Sequence, residues 1–183
     1  MPCNAEATTQ AAAILLGNTQ FGTMSHLRLL KLLYLADRRM LELTGTLITY
    51  DHAVAMKHGP VLSDTYNMIK GESLSADLWQ RHIHKDGVFV TMIDRPGRDQ
   101  LTRKNISVLN DVQKETSRYN DWELIEWMHE TLPEWIDNWK PEEGKVHPIP
   151  LEDILSALGI AGEEASQIVN FYRFERSALR AAS

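Results

Sequence analysis

The run Ser25-His26-Leu27-Arg28-Leu29-Leu30-Lys31-Leu32-Leu33-Tyr34-Leu35-Ala36-Asp37 decides how the rest of the chain is read. It opens a helical pattern that continues to Leu43 and stops at Gly45, a residue suited to a helix C-terminus. Its apolar positions (Leu27, Leu29, Leu30, Leu32, Leu33, Tyr34, Leu35, Met40, Leu41 and Leu43) occupy most of the helix circumference. A helix apolar nearly all round is buried against several neighbours. The spacing therefore predicts the central helix of the fold, with Arg28, Lys31, Arg38 and Arg39 marking its wet side.

Working outward, residues 5–16 read as an earlier helix that stops at Gly17-Asn18, a pair suited to a left-handed cap. Beyond Gly45, Thr46 to Tyr50 and Val54 to Met56 read as short extended pieces interrupted by Gly59-Pro60. Ser63 is placed to cap a short helix through Ile69 that ends at Gly71. Val88 to Ile93 is β-branched and aromatic, and Arg95-Pro96-Gly97 follows it, so Leu101 and its neighbours are expected to return as a hairpin partner. Helices resume from Thr102 to Glu115 and from Asn120 or Asp121 to Thr131, where Pro133 forces a break. A connector from Pro141 to Pro150 leads to helices at 151–158 and about 163–180. The expected fold is mainly α, nearly all-α: a single helical domain, 1–183, around a central buried helix, with a small β-hairpin inserted mid-chain.

Composition narrows the class without naming a chemistry. The 183 residues are 43% hydrophobic and 24% charged, which suits one folded domain rather than a disordered chain. No stretch approaches the roughly 20 apolar residues that cross a bilayer, and no basic residue precedes the apolar run Ala11 to Leu16, so no membrane partner and no signal peptide are expected. The single cysteine, Cys3, fits a reducing cytoplasm and lies in a terminus expected to fray. Lys and Arg number 19 against 25 Asp and Glu, a net charge of −6, the wrong sign for a chain that coats itself in nucleic acid.

Catalytic constellations are missing. His82-Ile83-His84 would put two imidazoles on one face of a strand, but no Cys pair, HExxH pattern or carboxylate cluster accompanies them. No glycine-rich phosphate loop follows a strand. The expectation is a protein that is not an enzyme and needs no cofactor and no metal. A winged-helix-like DNA-binding regulator stays open as the alternative, because Arg95, Arg98, Arg103 and Lys104 place positive charge beside the hairpin. The segment Asp51 to Asp77 supplies no basic recognition helix for it. Protein binding gains more support, since Trp and Tyr, the residues of interface hot spots, are plentiful.

Three blocks carry a resemblance. They are Lys31-Leu32-Leu33-Tyr34-Leu35-Ala36-Asp37, then Gly45-Thr46-Leu47-Ile48, then Ala55-Met56-Lys57-His58-Gly59-Pro60-Val61 with Tyr66. A later helix has Leu124 and His129, and Trp135 follows. Over roughly residues 10–160 the chain resembles the Panacea (SocA-like) antitoxin domain of type II toxin–antitoxin systems, leaving 161–183 as a C-terminal helical extension. It departs from the pattern at His58, where many relatives carry an aromatic, and at Met56, often Trp in relatives. The resemblance implies a mainly helical, non-enzymatic protein of bacteria or their phages that binds a cognate toxin directly. Homo-oligomerisation is left open by it.

The blocks also have a physical reading. Lys31, Tyr34 and Asp37 recur at helical spacing on a face other than that of Leu29, Leu32, Leu33 and Ala36. Proline at 60 fixes its own φ and steers Gly59 away from the helical region. Their position inside or beside the matched blocks, with His58 standing where relatives carry an aromatic, makes Tyr34, Asp37, Tyr50, His58, Gly59, Pro60 and Tyr66 the candidate partner-binding residues, expected to lie near one another.

Overall fold

The computed structural model describes residues 3–143 and 146–181. Helix α1 (Ala5–Gly17) begins where the Asn4 side chain accepts the Ala7 N–H at 3.1 Å. Its far end is not the left-handed close expected of Gly17-Asn18: Asn18 stays right-handed at φ −84°. The Asn18 amide instead donates to Asn110 and Gln113 of a later helix. Cys3 is buried rather than frayed, because the Asn4 N–H is held by the Thr49 carbonyl at 2.6 Å.

Strand β1 (Thr23–Ser25) runs straight into α2 (His26–Thr44), with Ser25 as its N-cap and Gly45 closing it at φ 67°. Both features follow from chemistry: a serine oxygen takes an orphan N–H of the first turn, and glycine accepts a left-handed backbone without a Cβ clash. Every residue from Leu29 to Asp37 is buried. The burial includes Lys31, only 1% exposed, so it does not belong to the wet side where the helical wheel put it. Periodicity records where a side chain points and says nothing of what covers it there.

Strands β2 (Ala53–Met56) and β3 (Gly59–Leu62) form a tight hairpin, followed by α3 (Ser63–Lys70) and α4 (Ala76–Gln80). A second hairpin joins β4 (Ile83–Asp86) to β5 (Phe89–Met92). Helices α5 (Arg103–Glu115) and α6 (Asp121–Thr131) each begin with a capping box, at Thr102 with Asn105 and at Asn120 with Glu123. Pro133 starts α7 (Pro133–Asn138), as the break required. Strand β6 (His147–Ile149), α8 (Leu151–Ala157) and α9 (Gly162–Ala181) complete the described chain.

The expected all-α fold with one inserted hairpin is corrected here. The fold is mainly helical but mixed, with two three-stranded antiparallel sheets ordered β1-β5-β4 and β3-β2-β6. The missed strands are three or four residues long, too short for an alternating pattern to emerge. β1 and β6 exist because they pair with segments far away in sequence. The hairpin partner of β5 is β4, not the segment around Leu101, which is buried after a turn. Nor do Thr46 to Tyr50 form a strand; they make a loop.

The core is the packing of α2 against α1, α5 and β3. On the far side α9 attaches mainly through α8, with Val169 its one buried residue among those described. No helix among the described residues is long and apolar enough to cross a membrane.

Candidate functional site

The middle of α2 carries three polar side chains into the interior, Lys31, Tyr34 and Asp37, and each is answered from a different part of the chain. Lys31 points to the β2–β3 hairpin, where its Nζ donates to the Pro60 carbonyl at 2.8 Å. No carboxylate lies within ion-pair distance of it among the described residues, and burial alone pulls its ammonium down to about 7. Gly59 makes this approach feasible. Its φ is +91°, and a Cβ there would stand 3.3 Å from Lys31 Nζ and 3.7 Å from His129 Nε2.

His129, from α6, lies flat on Trp135 with ring centroids 3.9 Å apart and planes 4° apart. Trp135 in turn donates its indole N–H to the Met56 carbonyl at 3.0 Å. Desolvation, helped by the nearby Lys31 and His58 charges, lowers the His129 pKa. The later helix of the sequence motif is thus fastened to the hairpin by backbone hydrogen bonding and ring stacking. Above this foundation, at the hairpin turn, half-buried His58 meets Trp122 edge to face at 5.5 Å. Trp122 itself is 62% exposed.

Tyr34 faces the opposite way. Its hydroxyl donates to Glu134 Oε1 at 2.8 Å, and Arg38 Nε donates to the same oxygen at 2.7 Å. Burial and the Glu134 charge hold the Tyr34 hydroxyl well above the ordinary phenol range. Asp37 accepts from the Ile48 and Thr49 backbone N–H groups at 2.8 and 3.1 Å and from the Thr49 hydroxyl. It thereby shapes the loop that the sequence suggested was extended. Complete burial nonetheless lifts its carboxyl to about 7, against the pull of those hydrogen bonds.

Asp51 has a related task. Its oxygens accept from the Asp64 and Thr65 N–H groups and from the Thr65 hydroxyl, capping α3 from outside. Ser63, the expected cap, is instead the first residue of that helix. Asp51, His52 and Asp64 also bring ligand-type atoms within 4.8 Å of one another. That grouping is accounted for by the capping bonds and by Arg176, whose guanidinium lies 3.8 Å from Asp64. His82 meets the Asp94 carboxylate at 3.2 Å, while His84 is exposed on β4.

The seven candidate residues therefore fall into two sets. Tyr34, Asp37, Gly59 and Pro60 are buried supports, and His58, Tyr50 and Tyr66 are half-buried. His58 sits on the hairpin turn with Gly59 and Pro60 beneath it. Tyr50, at φ 52°, instead leans on Phe171 of α9 at 6.5 Å. Tyr66 lies on α3 under the Lys70 ammonium, 5.1 Å from its ring centre. Sequence reasoning missed Trp122, Lys31 and Glu134 as parts of the arrangement. The buried lysine inside an otherwise apolar stretch was the available signal for the second of these.

A family model described as antitoxin SocA-like, Panacea domain, matches residues 29–136. The match covers more than half of the 183 residues, a narrower span than the 10–160 read from the motifs. It contains Lys31, Tyr34, Asp37, the β2–β3 hairpin, His129 and Trp135, and it stops short of α8 and α9. No curated protein and no solved structure matches the chain.

Proposed function

Because this chain belongs to the family of SocA-like antitoxins with a Panacea domain, we propose that it neutralises a cognate toxin of a bacterial or phage toxin–antitoxin system by direct, stoichiometric contact, with no chemistry of its own. The observation that carries this reading is the His58–Trp122 pair. A large aromatic stands 62% exposed against a ring on a hairpin turn that Lys31 and Trp135 hold from below. Rigid aromatic anchors dominate interface energetics, since little side-chain freedom remains to be lost on binding. Lys31, Gly59 and Pro60 act in this reading as supports, and His58 and Trp122 touch the toxin. A standard interface of roughly 1,600 Å² in total would extend beyond the pair onto neighbouring surface.

The test is co-expression with the small toxic protein encoded beside it, followed by affinity measurement on the purified pair. Trp122→Ala is expected to cost ~2 kcal/mol or more, a ~30-fold loss of affinity, with unfolding unchanged. Folded His58→Ala and Trp122→Ala proteins that bind as tightly as the parent would move the interface elsewhere. Failure of any neighbouring toxin to co-purify or be neutralised would overturn the antitoxin mechanism itself.

A further inference from the structure

Between α2, α5 and α6 lies a cavity of about 360 Å³ that the antitoxin reading does not use. That size falls in the range of sites for small organic ligands. Its lining combines the buried Leu35, Val112 and Leu132 with Arg38, Arg39 and Arg118, the Glu115 carboxylate among them, and the rings of Tyr119 and Trp127. All of these residues lie within the family-matched span.

The guanidiniums are not equally engaged. Arg38 gives its Nε to Glu134, the contact that leaves the terminal nitrogens of its fork for other acceptors. Arg39 is tied to Glu42 and Glu115 at 3.3 and 3.0 Å, both half-exposed acids, and such surface pairs are cheap to exchange. Arg118 has no carboxylate within ion-pair distance among the described residues; it donates to the Tyr119 hydroxyl at 2.7 Å and covers that ring at 4.7 Å. Tyr119 and Trp127 are stacked at 5.9 Å with planes 23° apart. The segment that carries Arg118 and Tyr119 is fixed from below. Arg28 donates to the Thr116 and Tyr119 carbonyls at 3.0 and 2.9 Å and meets Asp121 at 3.2 Å.

We infer that this cavity binds a nucleoside monophosphate, its phosphate taken by the Arg39 and Arg118 forks and its base lying against the Trp127 side of the aromatic wall. Guanidinium forks match the paired oxygens of a phosphate, and aromatic faces accept any base by stacking. The volume suits one nucleotide better than a chain of them. Entry would release Arg39 from Glu115, exchanging an exposed carboxylate for a dianion.

Calorimetric titration of the full chain with AMP, GMP and UMP tests the inference without any toxin present. At least one is expected to bind in the ~10–100 µM range, with its nucleoside and inorganic phosphate each weaker by ~10-fold or more. Arg118→Gln and Trp127→Leu should each weaken binding by ~10-fold or more. Should Trp127→Leu fold poorly, movement of the Trp127 indole N–H resonance in the unaltered protein on nucleotide addition serves in its place. No binding of any of the three at ~1 mM overturns the proposal. So does binding that both variants leave intact, or phosphate binding as tight as the nucleotide, which marks a mere anion site. Variants that lose toxin affinity in a protein with no nucleotide affinity would assign the cavity to the toxin instead.

Discussion

Changing Glu134 to Gln tests whether the interior around Tyr34 is held by one buried charge. The carboxylate is wholly buried and Arg38 one-fifth exposed, with the Tyr34 hydroxyl as second donor to the same oxygen. The amide keeps an acceptor of the same size, so no cavity opens and only the charge is lost. Removing one partner of a buried ion pair costs ~3–5 kcal/mol, and the partial exposure of Arg38, which can turn to water, brings the expectation down to ~2–3 kcal/mol. For a chain of this length each kcal/mol is worth ~2–4 °C, so the thermal midpoint should fall by ~5–10 °C. Tyr34→Phe keeps the ring and removes a donor to a charged acceptor, costing ~1–2 kcal/mol. Urea unfolding of the two single variants and the double variant closes a cycle. Because both donors share one oxygen, a coupling of ~0.5 kcal/mol or more is expected, with Tyr34→Phe milder once Glu134 is neutral. A Glu134→Gln variant within ~0.5 kcal/mol of the parent, or strictly additive effects, would show that the charge does not organise this region.

Other consequences can be checked on the same preparations. The pKa of Asp37 rises from 3.8 to about 7 in the folded chain, so the native state holds a proton there that the unfolded state has lost, and this contribution to stability falls as pH rises across that window. Lys31 falls from 10.5 to about 7, so between those values the unfolded state holds the extra proton and stability rises with pH. Urea melts at about pH 5, 7 and 9 should show the rise above neutrality in the parent and not in Lys31→Met. Gly59→Ala forces a Cβ onto a φ of +91° and against Lys31 Nζ, and an unfolding free energy lowered by more than ~1 kcal/mol is expected, an unchanged one refuting the close approach. Burial pushes the Cys3 thiol up, so alkylation under native conditions should be slow and should accelerate on adding urea; fast native labelling would contradict the clamp of Asn4 on Thr49.

What was legible in the sequence was local chemistry. Ser25 and Gly45 bracket α2 because capping depends on a few adjacent residues, and Thr102, Asn120 and Pro133 mark their helices for the same reason. The strands were harder. β4 reads Ile-His-Lys-Asp, and only Ile83 is buried, so nothing in it alternates strongly enough to outweigh the β-branched run that follows. β6 contains Pro148 and three residues in all; its strand character comes from the edge of β2 that it covers. A strand of that kind is defined by its partner, and the partner lies more than ninety residues away.

The candidate site divides along the same line. Proximity in the motif put Tyr34, Asp37, Gly59 and Pro60 in one group with His58, and in space α2 does serve them all. The helix, however, turns its polar side chains in different directions: Lys31 to the hairpin, Tyr34 to the start of α7, Asp37 to the loop after Gly45. Lys31 and Asp37 take up backbone groups that the hairpin and the loop leave open, and Tyr34 answers the buried Glu134 carboxylate. That arrangement explains why such residues recur inside an apolar stretch without their forming a surface, since a buried polar group is costly unless paired. It also bears on the toxin-contact surface proposed above. With the braces buried, what they present outward is the turn carrying His58, and the ring standing against that turn is Trp122, contributed by the helix that also carries the motif residue His129, itself stacked on Trp135.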